Sequence, residues 1–322
     1  MRGLALTILL CACAGATHAP GGTHLRASAV AACSPTFAAG RHGAFHGGFA
    51  LTWPEWSGFG GWSDLHVDAD GAAMLAVSDD GHFLQATLVH RDGALAAIVD
   101  QQTGALPHCP DKRRCDVESI AQRADGTLWL GVERSLGTRH QIWAFAPSEP
   151  PFSTPSRAIA EPPGLEELPI NAGLEAMTTL ADDSVLAIAE GPEPVPPTLP
   201  MWHWQGAAWR SLQYPTTADF RPVALAALPH GHPLGDALVL ERKWLAQRRE
   251  AGTRIVALRL PEPGTLIAAT HEVLHLEPER CPVDNFEGLA TRVQNGAVWL
   301  YLLSDDNQSA RQRTLLYALT VD

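Results

Sequence analysis

Pairs of carboxylates recur along the chain, each at the open end of a segment with the pattern of a β-hairpin. In the segment 116–134, "DVESIAQRADGTLWLGVER", apolar and polar residues alternate on both sides of Asp125-Gly126, a dipeptide that favours a two-residue turn. Counting outward from that turn places Glu118 directly opposite Glu133. Like charges at facing positions destabilise a sheet, so this pair calls for a compensating positive charge.

Four further segments carry the same arrangement. Counting in the same way predicts three more facing pairs, which are Glu175 with Glu190, Glu287 with Ser304, and Ser63 with Ser78. An acid follows each serine of the last two pairs, namely Asp305 after Ser304, Asp64 after Ser63 and Asp79 after Ser78. The fifth segment, 220–244, is degenerate, because it has a longer turn and a single acid, Glu241, at its open end.

The spacing of these hairpins predicts an all-β fold. They recur at intervals of roughly 45–65 residues, a period typical of a β-propeller, in which small sheets stack as blades around a channel. A β-sandwich also has short, regular strands, but the hairpins resemble each other in sequence as well as in pattern. We predict one propeller over residues 30–322 with six blades, the sixth completed by residues 30–54 and the C-terminal segment "TLLYALTV".

In such a propeller the open ends of the hairpins meet at one mouth of the channel. The acids expected there are Asp64, Asp79, Glu118, Glu133, Glu175, Glu190, Glu241, Glu287 and Asp305. Two carboxylates about 5 Å apart repel by roughly 3 kcal/mol at an effective dielectric constant near 20, and a cation would offset that repulsion. Ligands that are all oxygen suit Ca²⁺. The alternative is that each acid is a separate, solvated strand end.

Basic residues follow some of these acids. Arg242 comes directly after Glu241, and Arg313 lies shortly after Asp305. The planar guanidinium group binds phosphate or carboxylate through two hydrogen bonds, so either arginine could hold an anion at the mouth, or could simply neutralise its neighbours. The sequence contains no G-x-S-x-G, H-E-x-x-H or G-x-x-x-x-G-K-[ST] motif.

Composition and the N-terminus restrict the partners and the location. The net charge of −12 argues against nucleic acid as a partner. Residues 1–19, "MRGLALTILLCACAGATHA", have the pattern of an export signal. Either cleavage follows the small residues 14–16, or "LCAC" is a lipobox and Cys13 is lipidated. We therefore expect a periplasmic, membrane-anchored or secreted monomer that contacts a membrane only through such an anchor.

Four cysteines lie beyond the signal, and an oxidising compartment favours disulfide bonds between them. Three connectivities are possible. The local pair Cys109–Cys115 is favoured because the loop between them is short. Cys33–Cys281 would then tie the N-terminal strand to the last blade.

Five motifs resemble the phytase-like family, whose members are described as having esterase-like activity of phytase. They are "GLEAM" (173–177), "LVLER" (238–242), "NFEGLA" (285–290), "SDDN" (304–307) and "QRTLLYAL" (312–319). The resemblance implies a propeller related to the alkaline phytases, which bind Ca²⁺ at an acidic channel mouth and hydrolyse phosphate esters. It implies ligand roles for Glu287 and Asp305 by motif, and for Glu118, Glu175 and Glu241 by position in the repeat.

Two functional hypotheses of different class follow. In the first, the protein is a Ca²⁺-dependent hydrolase of small phosphoesters or carboxylic esters, with lactones as the nearest variant. Glu287 would then be the general base, and Arg242 or Arg313 would hold the anion. In the second, the protein is a non-catalytic exported propeller that binds a ligand or a partner and contains structural calcium.

Overall fold

A computed structural model describes residues 25–135, 139–192, 194–217, 219–245 and 250–322. In these ranges the chain forms strands and a single turn of 3₁₀ helix, Leu165–Glu167. The strands are β1 (Arg26–Ala29), β2 (Thr36–Phe37), β3 (Gly43–Thr52), β4 (Trp62–Val67), β5 (Ala73–Ser78), β6 (His82–Arg91), β7 (Ala94–Ala105), β8 (Val117–Gln122), β9 (Leu128–Ser135), β10 (Arg139–Phe145), β11 (Arg157–Ile159), β12 (Ala176–Thr179), β13 (Val185–Ile188), β14 (Thr198–Gln205), β15 (Ala208–Pro215), β16 (Arg221–Ala227), β17 (Ala237–Leu245), β18 (Glu250–Arg259), β19 (Ala269–Leu276), β20 (Asn285–Gln294), β21 (Ala297–Asp305) and β22 (Thr314–Val321).

These strands form five antiparallel sheets, which are the blades of a β-propeller. The first blade is β4-β5-β6-β7, the second β8-β9-β10-β11, the third β12-β13-β14-β15, the fourth β16-β17-β18-β19-β2, and the closing blade β20-β21-β22-β3-β1. The first strand of each blade packs against the first strand of the next, and β20 packs against β4, so these five strands close a ring around the channel.

The prediction of six blades is therefore wrong, because the structure has five. The N-terminal strands do not form a blade of their own, because β3 pairs with β22, as in Phe49 opposite Leu316, and β1 pairs with β3. The N-terminal segment thus supplies β3 and β1, the two outer strands of the closing blade, and the C-terminal part of the chain supplies β20, β21 and β22.

The inner hairpins contain an irregularity that simple counting misses. The pairing of the first two strands shifts by one residue at Ser63, Glu118, Val223 and Glu287, in four of the five blades. A bulge of this kind leaves the extra residue without a facing partner and re-aims its side chain. Val117 consequently faces Val132, Trp62 faces Ser78 and Phe286 faces Ser304, so the facing pairs predicted in these blades are wrong. In the second and third blades the register at the turn also differs by one residue from that of a two-residue turn, because Gln122 faces Leu128 and Thr179 faces Val185. The third blade has no bulge in this pair of strands, and its turn alone moves Glu175 out of register with Glu190.

Both expected disulfides are present. Cys33–Cys281 joins the connection between β1 and β2 to the segment before β20. Cys109–Cys115 closes a short loop before β8. The predicted export signal and Cys13 lie outside the described residues. In the part of the chain that the structure describes, no helix is long and apolar enough to cross a membrane.

Candidate functional site at the channel mouth

The bulges and the ends of the second strands bring acids together at one end of the channel. Asp116 and Glu118, before and at the bulge of β8, meet Glu133 of β9. One carboxylate oxygen from each of the three lies within 4.8 Å of the other two. Burial, and then the charges of Glu175, Asp116 and Glu133, raise the pKa of Glu118 well above its usual value. The side chain of Glu118 is partly accessible from the channel, although protein surrounds it closely.

The third blade continues this cluster. Glu175 follows the β11–β12 connection, and Glu190 follows β13. Burial, and then the charges of Glu190, Glu133 and Glu287, raise the pKa of Glu175. The closeness that these effects require means that acids of the second, third and closing blades face one common space.

The closing and first blades complete the ring of acids. Burial, and then the charge of Glu287, raise the pKa of Asp305 to about 8, with a further contribution from Asp79. Burial raises the pKa of Asp79 to about 6 against the opposing effect of Lys112. The structure thus brings together seven of the nine acids expected at the mouth, and all seven are predicted metal ligands: Asp79, Glu118, Glu133, Glu175, Glu190, Glu287 and Asp305. Metal binding by them stays a prediction.

Three basic side chains reach into this ring. Lys112, in the loop that Cys109–Cys115 closes, places its Nζ 2.5 Å from Asp79 Oδ2 and 3.4 Å from Asp116 Oδ1. Arg221 lies 3.4 Å from Glu190. Arg242 donates to Glu287 and to Asn285 through the same nitrogen, Nη1.

Arg242 occupies a special place in the repeat. It pairs with the first residue of β16, at the strand position where the other blades have Asp79, Glu133, Glu190 and Asp305. Burial lowers the pKa of Arg242, but the charges of Glu287, Glu175 and Glu190 raise it above its usual value. The degenerate fourth blade therefore contributes a cation where the others contribute an acid.

Glu241 lies away from the other seven acids. Successive side chains of a strand point to opposite faces, so the direction of Arg242 toward the mouth turns Glu241 away from it. Glu241 is buried, with Oε2 accepting a hydrogen bond of 2.5 Å from Arg254 and Oε1 one of 2.8 Å from Tyr214. It stabilises the packing of the fourth blade instead.

Arg313 and Asp64 are also placed elsewhere. Arg313 is half exposed and donates to Asp284 at 3.2 Å. Asp64 is fully buried, and its carboxylate accepts hydrogen bonds from the N–H groups of Leu65 and, in the neighbouring inner strands, Ile120 and Leu289. Asp64 thus connects three blades and is a structural residue.

Sequence reasoning missed several residues of the mouth. Lys112 was missed because it lies in the loop between Cys109 and Cys115, outside the repeated hairpins. Gly60 and Gly61 both have positive φ, and a Cβ at either would come within 2.3 Å of the carboxylate of Asp306 or Asp79, respectively. The adjacent glycines of "GFGG" were the available signal for this close approach.

The donor set fits a hard cation. Every predicted ligand that converges at the mouth is a carboxylate, and Asp79 Oδ1 is buried with no hydrogen-bond partner among the described residues. Ca²⁺ accepts such oxygens in flexible geometry, whereas Zn²⁺ favours nitrogen and sulfur. Asp116, Glu118 and Glu133 are the residues whose spacing would hold the ion.

The fold and this mouth define a five-bladed β-propeller with an acidic channel entrance. Residues 57–308 match the phytase-like family, described as "Esterase-like activity of phytase". The chain belongs to this family. No curated protein sequence matches it significantly.

Solved structures resemble the chain in fold. A gluconolactonase of Xanthomonas campestris, XC5397, is 10% identical with a TM-score of 0.44, over 94% of this chain and 99% of that chain. The WD40 repeats of RRP9 are 10% identical with a TM-score of 0.44, over 89% of this chain and 99% of that chain.

Proposed function

We propose that the protein hydrolyses phosphate or carboxylic esters of small molecules at the channel mouth, with the help of a divalent cation. The observation that carries the proposal is the convergence of Asp116, Glu118 and Glu133 within 4.8 Å. Membership of a family described by the esterase-like activity of phytase supports it. Oxygen-only donors make Ca²⁺ the preferred ion, because it takes six to eight such ligands.

Glu287 is the best candidate for the general base. Both of its hydrogen bonds, from Arg242 and from Asn285, reach Oε1, so the carboxylate is fixed while Oε2 has no partner among the described residues. Oε2 can take a proton from an attacking water. Bound Ca²⁺ would polarise a substrate oxygen and make that water more acidic.

Arg242 is the better placed of the two predicted anion-binding arginines. Its guanidinium lies within the ring of acids, whereas Arg313 is exposed and bonded to Asp284. A guanidinium has five N–H groups, and the bonds of Arg242 to Glu287 and Asn285 use only one nitrogen, Nη1. Its remaining donors can hold the negatively charged part of a substrate.

A second candidate function has an observation of its own in its favour. Lys112 already places a cation between Asp79 and Asp116, so the acids are partly compensated without a metal. In that case the propeller is non-catalytic, and its mouth binds a ligand or a partner protein.

Hydrolysis assays distinguish the two. The purified protein is tested with p-nitrophenyl phosphate, bis-p-nitrophenyl phosphate, p-nitrophenyl acetate and a lactone, with calcium and with chelator. We expect turnover of at least one substrate that chelator removes. Glu287→Gln should lower it on the order of a hundredfold or more, whereas Glu272→Gln, which changes an exposed acid of β19 in the fourth blade, should not. Absence of chelator-sensitive turnover with every substrate would favour the binding function.

A further inference from the structure

A cavity lies at the opposite end of the propeller from the acids of the channel mouth. It has a volume of about 560 Å³ and opens between the first blade and the closing blade, beside the turns Asp70-Gly71 and Asn295-Gly296. Arg292 lies in its wall, together with the rings of Trp299, His46 and His90. The side chains of Thr320, Gln294 and Asn295 complete the polar part of the lining. These groups are polar or cationic, in a protein whose net charge is −12.

The guanidinium of Arg292 is held firmly at the wall of this cavity. It lies over the ring of Trp299 at 4.6 Å, its Nε donates to Tyr301 Oη at 2.9 Å, and its Nη1 donates to the carbonyl of Asp70 at 3.0 Å. Arg292 is only 7% exposed. Buried arginines are normally paired with a carboxylate, yet within the described ranges the oxygens bonded to Arg292 are both neutral.

The repeat contains an equivalent arginine that does have such a partner. Arg123 follows Glu118 at the same interval at which Arg292 follows Glu287. It also lies over a tryptophan ring, that of Trp129 at 4.9 Å. Its Nε and Nη2 donate to the two carboxylate oxygens of Asp183, in the inner turn of the next blade, at 3.0 and 2.7 Å.

At the position equivalent to Asp183, the first blade has Gly71. Each of the two residues follows an aspartate that accepts a hydrogen bond from the N–H group two residues further on. Asp70 accepts from Ala72, and Asp182 accepts from Ser184. Both have positive φ, 78° and 64°. A Cβ on Gly71 would come within 2.4 Å of Arg292 Nε. The side chain of Arg292 therefore occupies the space beside Gly71 that the other blade gives to an aspartate, and the wall of the cavity has no carboxylate at that position.

We propose that this cavity binds a small oxyanion, the carboxylate or phosphate group of an organic acid or ester, which gives Arg292 the negatively charged partner that Asp183 gives Arg123. Arg292 has five N–H groups and uses two of them on the protein. The remaining donors suit the paired oxygens of a carboxylate or phosphate. Amide and hydroxyl groups of the wall can hold the rest of the molecule.

The hydrogen-bond network behind Arg292 agrees with this assignment. Tyr301 Oη accepts from Arg292 Nε and shares a hydrogen bond of 3.0 Å with His90 Nε2. Burial, and then the charges of Arg292 and His46, lower the pKa of His90. Asp70 also lines the cavity, but its Oδ1 accepts the N–H of Ala72. Among the described residues no carboxylate is hydrogen-bonded to Arg292, and a bound anion would supply one.

Calorimetric titration tests the proposal. Inorganic phosphate and acetate are titrated separately into the purified protein, with chelator present and with ionic strength matched by sodium chloride. We expect saturable binding of at least one anion, and the stronger binder identifies the ligand as a phosphate or a carboxylate. Arg292→Met should weaken binding on the order of ten- to a hundredfold.

Three further variants make the test specific. Arg123→Met removes the matched arginine and should leave binding unchanged, as should Glu118→Gln at the acidic mouth. Gly71→Asp supplies the missing carboxylate from the chain itself, so it should abolish anion binding even though Arg292 is intact. The proposal is overturned if neither anion binds the wild type, if Arg292→Met binds equally well, or, should that variant not fold, if Gly71→Asp still binds. None of these outcomes depends on hydrolysis at the mouth.

Discussion

Lys112 Nζ lies 2.5 Å from Asp79 Oδ2, so the disulfide loop of the second blade places a positive charge in the ring of acids. Burial lowers the pKa of Lys112, but the charges of Glu118, Asp79 and Asp116 raise it further than burial lowers it. The lysine is therefore charged at neutral pH and competes with any cation that these carboxylates bind.

Replacing Lys112 tests this competition. Lys112→Met removes compensation from Asp79 and Asp116, so it should lower the melting temperature in chelator. The free energy of unfolding should fall by roughly 1 kcal/mol or less, since the side chain is 44% exposed. Calcium should then raise the melting temperature more than in the wild type. Arg114→Met, an exposed charge of the same loop, is the matched control. Equal calcium shifts in all three proteins would contradict the competition.

The pH dependence of stability provides a second prediction. The pKa of Asp305 is raised from 3.8 to about 8, so in chelator the folded protein keeps a proton that the unfolded chain loses. The stability from that proton is fully present below about pH 4 and is lost as the pH rises toward 8, at up to about 1.4 kcal/mol per pH unit.

Other groups also make stability depend on pH. Burial lowers the pKa of His82 and His203, so these histidines make the folded protein more stable as the pH rises. Comparison of the wild type with Asp305→Asn isolates the contribution of Asp305. Urea unfolding at several pH values should show the wild type losing stability relative to Asp305→Asn between pH 4 and pH 8. Parallel curves would show that burial does not hold the proton on Asp305.

The two disulfides should differ in their contribution to stability. Cys33–Cys281 closes a loop with a sequence separation of 248 residues, whereas Cys109–Cys115 spans a separation of 6. In the chain-entropy model, removal of the first should cost about 5 kcal/mol and removal of the second about 2 kcal/mol. Urea unfolding of the two double alanine variants measures this difference. A larger loss for Cys109→Ala/Cys115→Ala would contradict it.

Much of the fold could be predicted from the sequence, because alternation and turn residues are local signals. Asn295-Gly296 is a two-residue turn, and residues 288–294 pair as counting predicts. Closure of the last blade could not be predicted in the same way, since the pairing of β3 with β22 is a long-range contact that no local pattern encodes. The blade count was wrong for that reason.

The site was harder to predict than the fold. Bulges at Glu118 and Glu287 turn these side chains toward the mouth, and a bulge leaves no signature in the alternation of apolar and polar residues. Glu241 has the same residue type as the mouth acids, but its partner Arg254 lies in the next strand of the same blade. Residue type and repeat position were therefore insufficient to tell a mouth acid from a packing acid.

Glu118 and Glu241 allow a direct test of that distinction. Glu118→Gln removes one of three carboxylates that lie within 4.8 Å of one another, so it should reduce the calcium-dependent rise in melting temperature. In chelator it relieves repulsion from Asp116 and Glu133 but also removes attraction to Lys112, so its effect on stability should be small. Glu241→Gln breaks the buried pair with Arg254, so it should lower stability by about 3–5 kcal/mol and leave the calcium shift intact. Calorimetric scans of both variants and the wild type, with calcium and with chelator, give the comparison. A wild type that is indifferent to chelator would show that the mouth acids share no cation, and the metal-dependent mechanism would fail with them.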